Sequence, residues 1–193
     1  MPTLRLIALI LILAGIISCG GGPKPAPPSG VPTPVKDPAQ VNWTYQPGAL
    51  QLNFVADPTL NRYGGVPHTL ALCVYQLSQQ NAFAQLAETV GGTNKLLECT
   101  VFDPTVITAK RVIIQPGRNQ TLAMDRAEKV KYVGLAAGYY ELSPPLATRL
   151  YEVPMQSETQ GWLWWKDTLY SPAKLTMHIL LGADGLQKME GGQ

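Results

Sequence analysis

The sequence predicts a mainly β protein, a two-sheet β-sandwich with a short helical insertion, standing behind a secretory signal and a proline-rich tether. Several segments alternate apolar and polar residues with the period of two that half-buried strands require. One stretch changes to the 3.6-residue period of a helix, and turn residues separate nearly all of these pieces. The division that follows is residues 1–18 as signal peptide, 19–44 as tether and 45–193 as one β-sandwich domain, long enough for one core and too short for two.

The N-terminus carries one basic residue, Arg5, then an apolar run over residues 6–17, then Ser18, Cys19 and three glycines. These are the n, h and c regions of a secretory signal. Twelve residues rise about 18 Å as a helix, short of a hydrocarbon core of about 30 Å, which argues against a permanent membrane span. Residues 20–39 hold seven prolines and four glycines. Such a segment favours extended polyproline II, buries too little apolar surface to fold, and at about 3.1 Å per residue reaches roughly 60 Å.

The first strand is the alternation Leu50-Gln51-Leu52-Asn53-Phe54, broken by Asp57-Pro58. A loop of turn residues continues to Pro67. Residues 69–77, TLALCVYQL, are apolar at nearly every place, as in a central strand covered on both faces. Phe83, Leu86, Ala87 and Val90 stand at i, i+3, i+4 and i+7, which predicts a helix from about Ser78, stopped by Gly91-Gly92. A second short helical or irregular piece includes Leu96, Leu97 and Cys99. Val112-Ile113-Ile114, the turn Gln115-Pro116-Gly117-Arg118 and Gln120-Thr121-Leu122 read as a hairpin. Residues 131–142 form a strand with two inner glycines, and Leu175, Met177, Ile179 and Leu181 another, followed by a short last strand near Leu186. That makes six or seven strands and one substantial helix.

The chemistry of catalysis is missing from this pattern. The two histidines, His68 and His178, are more than a hundred residues apart, without cysteines or carboxylates spaced to complete a metal site. Neither a phosphate-binding glycine loop after a strand nor a nucleophile elbow occurs, and no enzyme activity or cofactor is predicted. A formal charge of +2, without a basic cluster, offers no footprint for nucleic acid. Cys73 and Cys99 remain as an even pair in an oxidising compartment. A disulfide between them would close a loop of 26 residues and contribute up to roughly 3 kcal/mol in the chain-entropy model. Two buried thiols acting as small hydrophobes are the alternative. Trp162, Trp164 and Trp165 form the densest aromatic cluster, for which packing on the core or at an edge is the first expectation.

The tetrad Ile16-Ile17-Ser18-Cys19 resembles the lipobox of bacterial lipoproteins. That implies cleavage after Ser18, a diacylglycerol thioether on Cys19 and acylation of the new amino terminus. Several chains together hold a protein firmly on a bilayer, since each buried methylene contributes about 0.8 kcal/mol. Gly20 takes the place where an aspartate would favour inner-membrane retention, so outer-membrane sorting follows by the same resemblance.

Beyond the lipobox cysteine, the chain carries in order Leu60-Asn61 before Gly65-Val66-Pro67, then Val74-Tyr75-Gln76-Leu77, Phe83, Gln115-Pro116-Gly117, and KYVGLAA over residues 131–137. Taken together these features resemble the TssJ family, also called SciN or VasD, of type VI secretion outer-membrane lipoproteins. The match in order and spacing covers residues 45–181, and the chain departs from it after Glu141, with Ser143-Pro144-Pro145 and a longer aromatic insert over residues 156–170. The resemblance implies a transthyretin-like sandwich with an added helix, lipid-anchored at the outer membrane and facing the periplasm. It implies a structural role: fastening the secretion machine's membrane complex by binding the periplasmic domain of TssM, the inner-membrane subunit that partners TssL. The contact falls to the loop between the first two strands, here residues 57–67, in which Asp57, Leu60, Asn61, Arg62, Tyr63, Gly64 and Gly65 are singled out, with Arg62 and Tyr63 as its hot spots. The alternative is a periplasmic lipoprotein that binds glycan or a small hydrophobic ligand through Trp162, Trp164 and Trp165.

Overall fold

A computed structural model describes residues 31–188. The signal peptide, Cys19 and the first part of the tether lie outside the described residues.

Ten strands and three short helices follow in order: β1 (Gln46–Ala56), β2 (Leu70–Leu77), α1 (Asn81–Ala87), α2 (Val90–Leu96), β3 (Val106–Ile114), β4 (Gln120–Arg126), β5 (Tyr132–Ala137), α3 (Pro144–Ala147), β6 (Thr148–Glu152), β7 (Met155–Trp162), β8 (Trp165–Pro172), β9 (Leu175–Leu181) and β10 (Leu186–Lys188). They make two four-stranded sheets, ordered β10-β9-β1-β4 and β3-β2-β5-β6, and a separate two-stranded hairpin, β7-β8. The predicted sandwich with a helical insertion is the architecture found.

Its core is the direct product of alternation. Leu50, Leu52 and Phe54 of β1 and Leu175, Met177, Ile179 and Leu181 of β9 point inward from the first sheet. They meet Leu70, Leu72 and Val74 of β2 and Val133, Leu135 and Ala137 of β5 from the second. β2 is apolar at almost every position because its other face is also covered. Cys73, Tyr75 and Leu77 look outward and pack under Phe83 and Leu96 of the helical layer. Gly134 of β5 leaves room for Phe83, since a β-carbon there would stand 2.6 Å from the phenyl ring. Gln76 is the polar exception on the inner face. Its amide donates to the Asp125 carbonyl at 3.0 Å and its carbonyl accepts from the Ala127 N–H at 2.8 Å, which ties the two sheets at one end.

Four sequence expectations are corrected. Gly91-Gly92 does not stop a helix; both glycines lie inside α2, whose N-cap Thr89 accepts from the Gly92 N–H at 3.0 Å. Gly92 is required there because α2 presses on α1, so that a β-carbon would stand 2.1 Å from the Leu86 carbonyl oxygen. Val90 consequently turns outward, 49% exposed. The turn at Gln115-Pro116-Gly117 exists, with the Arg118 N–H on the Gln115 carbonyl at 3.1 Å, but it does not close a hairpin. β3 pairs with β2 and β4 with β1, so the turn carries the chain from one sheet to the other. The aromatic insert is the β7-β8 hairpin, and Trp162, Trp164 and Trp165 are 81–88% exposed instead of packed on the core.

The fourth correction concerns the tether. Val35 pairs with Tyr170 of β8 through N–O contacts of 2.9 and 2.7 Å. Lys36 meets Asp167 at 2.9 Å, and a 3-10 turn over Pro38–Gln40 is capped by Asp37. Val41 is buried and Trp43 packs on the core. The ring of Trp43 also covers the guanidinium of Arg126, 5.4 Å from its centroid, on a side chain with no exposed surface. The folded part therefore begins near Val35, ahead of residue 45, because these residues find apolar and ladder partners that proline content alone does not reveal.

Candidate functional site: the β1-β2 loop and its aromatic neighbours

The loop after β1 is built on a rigid base. The Asp57 carboxylate accepts from the backbone N–H and hydroxyl of Thr59 at 2.7 and 2.6 Å, and these bonds hold it below the usual carboxylate range. The Asp57 N–H donates to the Leu181 carbonyl at the end of β9. Leu60 is fully buried as a plug into the sandwich core. Asn61, 3% exposed and at φ +49°, donates from its side-chain amide to the Thr69 carbonyl at 3.0 Å and accepts from the Tyr140 N–H at 2.8 Å. One side chain thus joins the β1-β2 loop to the segment after β5. The short polar side chain of asparagine is among the few that adopt this left-handed conformation readily.

From this base a small turn stands out. Tyr63 and Val66 exchange backbone bonds of 2.9 and 3.0 Å around Gly64 and Gly65, at φ +59° and +83°. Positive φ at both central residues is the type I′ geometry that non-glycine residues adopt with strain. The Tyr63 ring stacks on Tyr140, with centroids 4.9 Å apart and planes inclined by 17°. His68 meets the other side of the cluster edge-on, 4.8 Å from Tyr140. Tyr63, Val66 and Tyr140 are each more than half exposed, and Arg62 is exposed beside them. The result is an open surface of aromatic rings, one aliphatic side chain and a guanidinium on an immobilised backbone.

Of the seven loop residues singled out from sequence, Arg62, Tyr63, Gly64 and Gly65 are presented at the surface. Leu60 and Asn61 are buried and shape the loop, and Asp57 is half-buried and committed to Thr59. His68 and Tyr140 were missed, and Val66 lay within the predicted loop without being singled out. Tyr140 is brought in from the far side of β5 by Asn61, a contact 79 residues apart in sequence. A signal for it does exist in Tyr139-Tyr140, where alternation turns Tyr139 inward, 4% exposed, and Tyr140 outward.

The other candidates lie elsewhere. The sulfurs of Cys73 and Cys99 are at bonding distance, with α-carbons 5.4 Å apart. Arg111, opposite Cys73 on β3, donates to the Leu97 and Glu98 carbonyls at 3.0 and 3.1 Å and so closes the end of α2. Among the described residues no three His, Cys, Asp or Glu side chains stand close enough to hold a metal ion.

A family profile described as type VI secretion lipoprotein (VasD, EvfM, TssJ) matches residues 48–184. No curated protein sequence matches the chain. Three of the solved structures that share the fold are the following. The Lip protein of Serratia marcescens, titled a membrane-bound component of the type VI secretion system, is 21% identical with a TM-score of 0.56, covering 74% of this chain and 98% of its own. The lipoprotein TssJ1 of Pseudomonas aeruginosa is 20% identical with a TM-score of 0.51, covering 76% and 99%. A structure titled for the TssM C-terminal domain (869-1107) from EAEC is 18% identical with a TM-score of 0.54, covering 74% and 98%.

Proposed function

From the premise that this chain belongs to the type VI secretion lipoprotein family, we propose that it fastens the secretion machine's membrane complex to the outer membrane. Residues 1–18 are removed as the signal peptide, Cys19 carries the lipid, and the sandwich domain faces the periplasm. The β1-β2 loop binds the periplasmic domain of TssM, which in turn partners TssL. The protein works by binding and needs no cofactor.

The observation that carries this reading is the stacked Tyr63-Tyr140 pair, exposed with Val66 and Arg62 on a backbone pinned by Leu60 and Asn61. Tyrosine and arginine dominate binding hot spots, and a site already held in shape has less freedom to lose on association. One matched structure names TssM in its title, which supports that subunit as the one to test. The glycan-binding alternative finds less support, since indoles more than four-fifths exposed are unlike the walls of a pocket that buries most of its ligand.

The test is a double variant, Arg62→Glu with Tyr63→Ala. It should fold, reach the outer membrane and bind the TssM periplasmic domain at least about 30-fold more weakly, the loss of one hot spot of roughly 2 kcal/mol. Unchanged affinity would remove the loop from the interface.

A further inference from the structure

The four most exposed large hydrophobic side chains of the described residues are consecutive: Trp162 at 81%, Leu163 at 62%, Trp164 at 88% and Trp165 at 84%. They form the tip of the β7-β8 hairpin, where Trp162 and Trp165 face each other across the turn. Below the tip the hairpin is polar, with Gln156, Ser157, Glu158, Thr159 and Gln160 on one strand. A wet stalk therefore carries a dry end. Lone exposed hydrophobics are ordinary on a protein surface, but an unbroken patch calls for a surface to meet it.

The topology says from which end of the sandwich the hairpin rises. β1 runs toward the β1-β2 loop and pairs in parallel with β9, so Leu50 and Leu175 lie together at the pole opposite the loop. Thr148 pairs with Ala136, and Glu152 with Tyr132 beside Leu77, so β6 also ends at that opposite pole. β7 leaves from β6 and β8 returns into β9, so the hairpin springs from the end of the sandwich away from Tyr63 and Tyr140.

The tether arrives at the same hairpin. Val35 pairs with Tyr170, and Lys36 with Asp167. Fifteen residues separate Cys19 from Val35, a reach of about 50 Å at the polyproline II rise of about 3.1 Å per step. The tip lies five residues beyond Tyr170, about 17 Å along a strand. The antiparallel pairing of Val35 sends the tether first toward the hairpin's base, and its length exceeds what the return past the tip requires.

We propose that the tip formed by Trp162, Leu163, Trp164 and Trp165 inserts into the interface of the bilayer that holds the Cys19 lipid, as a second, non-covalent membrane contact. Indole rings favour the boundary between headgroups and acyl chains, where an apolar body and one N–H are both accommodated. Lys166, next to the tip, supplies a cation at the level of the lipid phosphates. Two contacts orient the domain on the membrane, which a long tether alone does not, and direct the Tyr63-Tyr140 surface into the periplasm. The inference rests on the lipidated-anchor reading above.

The test uses the lipidated full chain reconstituted into vesicles of phosphatidylethanolamine with a minority of phosphatidylglycerol, with and without bromine on the acyl chains. Three of the four tryptophans are at the tip and the fourth, Trp43, packs on the core, so bromine should quench more than half of the tryptophan emission. Leu163→Asp keeps every fluorophore and suits the local backbone, at φ +53°; it should abolish most of the quenching with an unchanged melting temperature. Quenching that persists in Leu163→Asp, or none in a wild-type protein that floats with the vesicles, overturns the insertion alone. Protection of the indoles from an aqueous quencher by the TssM domain without vesicles assigns the tip to a protein and also overturns it. A chain that does not float overturns the anchor reading and the insertion with it.

Discussion

Tyr75 shows how one side chain fastens a layer. It stands on the outer face of β2, fully buried, and its hydroxyl donates to the Leu96 carbonyl at the end of α2. Phe83 and Phe102 meet it edge-on at 5.7 and 5.6 Å. Burial pushes its phenol up to about 12 from an ordinary value of 10.0. The folded state therefore holds this proton more tightly than the unfolded chain does. Its contribution is complete below about pH 10 and is lost as pH rises toward 12, a decline on the order of 2 kcal/mol. Urea midpoints measured between pH 9 and pH 11.5 should fall more steeply for wild type than for Tyr75→Phe; parallel declines would show that the phenol does not titrate with folding. Asn61 plays the comparable part at the other end of the molecule, where one amide holds two distant segments in register.

At the scale of elements, the helical layer is joined to the sandwich by packing on β2 and by the Cys73-Cys99 pair. Without that link, α1 and α2 are two seven-residue helices, too short to be stable alone in water. The pairing predicts that the protein unfolded without reductant takes up no alkylating label on Cys73 or Cys99, and takes up two after reduction. A Cys73→Ala, Cys99→Ala variant should lose up to about 3 kcal/mol in stability. Uptake of two labels before reduction would rule the bridge out. The elements legible from sequence were those whose environment one period describes: β1, β9 and the doubly covered β2. The helix boundaries were not, because Gly91-Gly92 has two possible physical meanings. Glycine ends a helix where the backbone turns left-handed, and permits contact where another backbone presses on it. The Leu86 carbonyl, which leaves no room for a β-carbon at Gly92, selects the second.

For the whole molecule, the two ends of the sandwich carry different features, aromatic rings and a guanidinium at the β1-β2 loop, and at the opposite end the root of the hairpin that bears the exposed indole tip. In a mechanical fastener the lipid and the loop are the two ends of one linkage. A Cys19→Ser form should fold and bind the TssM domain in solution with wild-type affinity, yet fail to support secretion. Normal secretion by that form would overturn the mechanical role.

Local pattern by itself determined the class of fold, the inward face of each alternating strand and the buried character of β2, because each depends on a period carried by consecutive residues. It also contained enough ordered motifs to point to the family. Tertiary structure alone decided that the Gln115-Pro116-Gly117 turn crosses between sheets, that Tyr140 stacks on Tyr63, that residues from Val35 onward join the domain, and that the tryptophans stand in solvent. Periodicity reports which face of a segment is buried, not what covers it. Partners separated by 79 residues, as Asn61 and Tyr140 are, are chosen by the packing of the whole chain.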